Sequence, residues 1–214
     1  MKRALFLGLL VLALPMVAFA NSTTSTTFVV IPLPGASSNG TLGGLDGTGS
    51  VFDTSSTLTG ILGFNGGGFV QGTNLGGLSF TTGALLSSTG GIETFGSGGS
   101  FMITGSGTGL QSGVIFKGTF DGTATLDKVM AANGSVLGWM LSCESAQGCV
   151  VTGTWFNGQK TSGSINLFAN SSGGVVAAYA TFQSPSAVPE PGTLSMLGTG
   201  LLGLGALVRR KLKA

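Results

Sequence analysis

The sequence predicts an all-β protein, an antiparallel β-sandwich-like, Gly-rich domain held between two terminal addressing segments. Three observations predict it. Short apolar or alternating runs enriched in Val, Ile, Phe and Thr recur about every ten residues, the spacing of a many-stranded sheet. Turn-forming pairs separate them: Asn39-Gly40, Asp121-Gly122, Asn133-Gly134 and Asn157-Gly158 put glycine where a positive φ costs least. Between the two ends, no segment keeps a helical period.

The elements follow in chain order. Lys2-Arg3, an apolar run from Ala4 to Val17 and the triplet Ala18-Phe19-Ala20 form a secretory signal peptide over 1–20. Its small residues Ala18 and Ala20 place cleavage before Asn21, after delivery by the general secretion machinery. The body, 21–183, is an extracytoplasmic β domain. Its expected strands are Thr27–Leu33, Thr57–Phe64, Gly77–Thr82, Ser100–Thr104 and Gly113–Phe120 in the first part. Gly122–Met130, Ser135–Cys143, Cys149–Phe156, Gly163–Asn170 and Gly174–Gln183 follow. Between Gly66 and Gly109 the paired glycines also fit a β-solenoid, although no constant period supports one. Residues 184–187 are a linker.

Composition excludes several chemistries. Among 214 residues there are 40 glycines, no histidine and only 7% charged side chains. Without imidazole there is no Ser-His-Asp or Cys-His catalysis and no histidine metal site. Six of the nine Lys and Arg sit at the ends, so three lysines face six acids between 21 and 187. That is no nucleic-acid surface. No metal or cofactor is expected.

The C-terminal end reads Val188-Pro189-Glu190-Pro191, then 17 uncharged residues over 192–208, then Arg209, Arg210, Lys211 and Lys213. Such a run suits a short membrane helix with its basic anchor in the cytoplasm. Pro189 and Pro191 keep the preceding stretch extended, a shape a protease can grip. Residues 188–214 resemble a PEP-CTERM sorting signal, a tail also labelled an ice-binding protein C-terminal domain. The resemblance implies an exported protein of a Gram-negative bacterium, held in the inner membrane in transit through 192–208. It also implies processing at Pro189–Pro191 by an exosortase-like membrane protease and delivery to the cell surface or extracellular matrix.

Within the body, Cys143 and Cys149 enclose five residues. In an oxidising compartment this spacing predicts a disulfide rather than a metal or redox pair. Pairing the flanking strands as a hairpin sets Trp139 opposite Gly153 and Trp155 opposite Leu137. Leu137, Trp139, Leu141 and Cys143 then share one apolar face with Cys149, Val151 and Trp155, so both tryptophans belong to the core. Asp46, Asp53, Glu93, Asp121, Asp127 and Glu144 are scattered, and sequence brings no two of them together as a glycosidase requires. Asp46-Gly47-Thr48-Gly49-Ser50 has the look of a calcium loop but lacks its further carboxylates. Thr57-Leu58-Thr59, Thr123-Ala124-Thr125 and Thr152-Gly153-Thr154 are too unevenly spaced for a flat ice-binding array.

These observations lead to a non-enzymatic surface or matrix protein, structural or adhesive, in contact with exopolysaccharide. The rival expectation is a carbohydrate-binding module or carbohydrate-active enzyme, with two carboxylates in a cleft beside an exposed Trp. Ice binding is the minor alternative.

Overall fold

The computed structural model describes residues 25–183 apart from 33, 35 and 109. The expected signal peptide, the linker 184–187 and the membrane helix 192–208 lie outside the described residues. Among the described residues, no helix is long and apolar enough to cross a membrane.

Among the described residues thirteen strands form one sheet: β1 (Ser25–Val30), β2 (Leu42–Gly43), β3 (Phe52–Leu62), β4 (Val70–Thr81), β5 (Leu85–Thr89) and β6 (Ile92–Phe95) come first. They are followed by β7 (Gly98–Gly105), β8 (Gly113–Gly122), β9 (Ala124–Met130) and β10 (Val136–Cys143). The last three are β11 (Cys149–Trp155), β12 (Lys160–Asn170) and β13 (Val175–Gln183). Eight of these close on themselves in the order β11-β8-β7-β4-β3-β1-β13-β12, each neighbour antiparallel, with β12 returning to β11 through Val151↔Gly163 and Thr154↔Lys160. The fold is therefore a barrel, not the expected sandwich. Closure removes the two edges that separate sheets would leave. The solenoid alternative for Gly66–Gly109 also fails, since β4 lies antiparallel between β3 and β7.

The remaining strands branch from the barrel. From β12 a wing runs β10-β9-β6-β5, and the short β2 pairs with β3. Lys160–Gly163 of β12 pairs with β11, whereas Ile165–Asn170 pairs with β10. One strand thus serves the barrel with its first half and the wing with its second. This corrects the expected β10–β11 hairpin: the two strands diverge at a fork, so Trp139 faces Lys128 and Ala169, and Trp155 faces Phe116. The expected common apolar face survives for Trp139, Leu141, Cys143, Cys149, Val151 and Trp155, all buried. Leu137 departs from it, exposed where β10 shifts register between Val136 and Gly138.

Aromatic rings fill the barrel. Phe28, Phe101, Phe116, Phe120, Trp155 and Phe182 are all buried. Phe116 and Phe182 have ring centroids 4.3 Å apart, and Phe116 and Trp155 5.6 Å. Facing glycines leave room for them. A methyl group on Gly153 would stand 2.5 Å from Phe116 Cζ, and one on Gly163 2.3 Å from Phe182 Cδ1. Native close packing permits neither distance. At the passage from barrel to wing, Gly122 turns the chain between β8 and β9 with φ +95°, and a methyl group on it would stand 2.0 Å from the Gly148 carbonyl oxygen.

Candidate functional site

The fork brings together what the sequence left apart. Cys143 ends β10 and Cys149 opens β11, and their disulfide joins the strands with Cα atoms 4.9 Å apart. Both cysteines are fully buried, so the bridge staples wing to barrel inside the core. Beyond it, Glu144 Oε1 accepts a hydrogen bond from Asn166 Nδ2 across the fork.

From the fork an exposed file of polar and aromatic groups follows the outer face of β12 and β13. The alternation of a strand puts Lys160, Ser162, Ser164, Asn166 and Phe168 on one side of β12. Register sets Ser164 beside Thr181 and Asn166 beside Tyr179. Tyr179 is 48% exposed and Phe168 36%. At the β11 end the file opens into a shallow groove of about 540 Å³ lined by Thr152, Thr154, Lys160, Thr161, Ser162 and Gln183. No carboxylate is among these lining residues. The Gln183 carbonyl accepts hydrogen bonds from Trp155 Nε1 at 3.1 Å and Thr161 Oγ1 at 3.3 Å. Ser25 pairs with Gln183, so both ends of the described chain meet at this end of the barrel. The groove thus lies where the chain continues towards its C-terminal tail. Sequence reasoning missed the file because Lys160, Ser162, Ser164 and Asn166 read as the ordinary outward positions of a strand.

The acids mostly serve the fold. Asp53 is buried on β3 beside β2, Asp121 stands at the barrel corner, and Glu144 holds Asn166. Asp127 lies on β9 opposite Met140 and Ile92, and Asp46 and Glu93 differ from the rest. Gly47 lies near Glu93 of β6: a methyl group on it would be 3.1 Å from Glu93 Oε1 and 3.7 Å from Ser88 Oγ. Glu93 is 6% exposed, and its Oε2 has no hydrogen-bond partner. Burial raises the Glu93 carboxyl above its ordinary range, with Asp46 adding to the rise and Lys128 opposing it. Hydrogen bonds from the Thr48 side chain and backbone hold Asp46 low. Lys128 is seated over the Trp139 ring, its Nζ 5.1 Å from the centroid. The two tryptophans are 8% and 2% exposed, so neither offers a ring to solvent beside these acids. Among the described residues, no group of three or more Cys, Asp or Glu side chains gathers as a metal centre.

The threonine pairs lie on β3, at the β8–β9 corner and on β11, on separate elements. Thr59 is buried, accepting a hydrogen bond from the Ile31 amide at 3.1 Å. Ala18, Ala20, Val188, Pro189, Glu190, Pro191 and the basic anchor Arg209, Arg210, Lys211 and Lys213 lie outside the described residues.

Fold and fork define a class: an aromatic-filled antiparallel barrel with a disulfide-stapled wing, its last strand leading into a C-terminal tail. Residues 187–211 match the family model of the PEP-CTERM protein-sorting motif. The motif marks an exported protein, processed and sorted by an exosortase-like system and sent to the cell envelope or surface. No curated protein and no solved structure matches the chain.

Proposed function

We propose that the barrel is a non-enzymatic surface or matrix protein that holds exopolysaccharide, with a structural or adhesive role. The observation that carries this reading is the file on β12–β13, from the groove at Lys160 past Asn166 and Tyr179 to Phe168. Eight strand rises separate Lys160 from Phe168, so it is about 27 Å long. Hydroxyl and amide groups exchange hydrogen bonds with sugar hydroxyls. Exposed rings offer an apolar face to the C–H side of a pyranose. The sorting motif supports the location, since a chain released at the cell surface meets the matrix first. In this reading the precursor crosses the inner membrane with 192–208 as its handle, and the signal peptide is removed before Asn21.

Co-sedimentation with the producing cell's purified exopolysaccharide tests it. The wild-type protein should pellet with the polymer, and Tyr179→Ala combined with Ser162→Ala should stay in solution. Both side chains are exposed, so folding is spared. Failure of the wild type to pellet, or release of reducing ends from the polymer, would overturn the reading.

A further inference from the structure

We propose that the Asp46–Gly47–Thr48 turn and Glu93 of β6 form an oxygen-donor site for a calcium-sized divalent cation. The turn alone has one carboxylate. The fold supplies a second from a distant strand, since Glu93 Oε1 and Ser88 Oγ lie 3.1 Å and 3.7 Å from where a Gly47 side chain would begin. Asp46, the residue before that glycine, acts on Glu93 as a like charge. Glu93 Oε2, on a side chain 6% exposed, has no hydrogen-bond partner. A buried carboxylate oxygen is costly unless something neutralises it. The one cation acting on Glu93, Lys128, is occupied over the Trp139 ring. Lys128 offsets part of that charge, and a bound cation would neutralise the rest.

The donor chemistry selects the ion. Two carboxylates and the Ser88 hydroxyl are hard oxygen donors, with no sulfur or imidazole to favour zinc. An irregular loop suits calcium, which tolerates varied geometry, better than magnesium, which demands a regular octahedron and keeps its waters. Gly47 is in the left-handed region, φ +69°, so the turn brings its backbone onto Glu93 without a side chain in the way. With only two carboxylates the affinity belongs to the weak extracellular range, about 10⁻⁴–10⁻³ M. That range matches millimolar calcium outside the cytoplasm. The ion would tie the 44–50 segment to the wing.

Thermal unfolding of the full chain in mild detergent tests the site, comparing 10 mM CaCl₂ with 10 mM MgCl₂ and with EDTA. At a dissociation constant of about 1 mM, 10 mM calcium shifts the folding equilibrium roughly tenfold. For a domain of this size that is a rise of ~3–6 °C in Tm. Asp46→Asn should abolish the calcium-specific rise while leaving Tm in EDTA nearly unchanged, because Asp46 is exposed. Glu93→Gln should abolish it as well, and isothermal titration of each folded variant with CaCl₂ provides the direct readout. The inference is overturned if the wild type shows no rise over magnesium, or if the rise persists in Asp46→Asn.

Discussion

Replacing Gly153 with alanine probes the filled barrel most sharply. The new methyl would sit 2.4 Å from the Lys117 carbonyl oxygen, 2.5 Å from Phe116 Cζ and 2.7 Å from Gly118 Cα. Two of the three are backbone atoms of β8, so the neighbouring stave cannot yield as a side-chain tip would. Phe116 is itself wedged against Phe182 and Trp155. Overpacking of this kind costs about 1–3 kcal/mol, and the stiffer unfolded chain returns at most about 1 kcal/mol. The net loss of roughly 1–2 kcal/mol lowers Tm by about 2–8 °C. Gly68→Ala is the matched control, since nothing lies within 4 Å of the added methyl and the residue is exposed. Scanning calorimetry on both variants reads the difference. If Gly153→Ala melts with or above Gly68→Ala, the argument that inward glycines seat the rings is wrong.

Three further outcomes follow from the same structure. Cys143→Ser with Cys149→Ser should cost about 2–3 kcal/mol by loop entropy and raise amide exchange in β10 and β11 together, because the bridge spans their fork; exchange confined to 144–148 would contradict this. Asn39→Ala should cost about 2–3 kcal/mol in urea titration, since the side chain donates to Ile31 and Thr57 carbonyls and accepts from the Thr57 amide; a neutral result would refute its role as a clasp. Replacing Pro189, Glu190 and Pro191 with alanine should leave the chain in the membrane fraction, and undiminished release would count against sorting by this tail.

What the sequence made legible was local. Val, Ile and Phe alternation located β8 to β13 within a few residues, because each strand buries one face and shows the other. Asn133-Gly134 and Asn157-Gly158 turned as expected, with φ +82° at both glycines. Pairing was not legible. Nothing in Lys160–Asn170 shows that half of it joins β11 and half β10, since the same alternation satisfies either partner. The short strands β5 and β6 escaped because their exposed Leu86, Ile92 and Ser and Thr residues blur the apolar pattern. The disulfide was readable from spacing, but the fork around it was not. The meeting of Asp46 with Glu93 depends on a loop crossing to a distant strand, and no periodicity encodes that.

The most direct measurement is the intact mass of the protein recovered from the cell surface or medium. A chain that begins at Asn21 and ends near Pro189–Pro191, with two hydrogens fewer than the reduced formula, is the predicted species. A cytosolic protein carrying Met1 and Ala214 with both thiols free would contradict it.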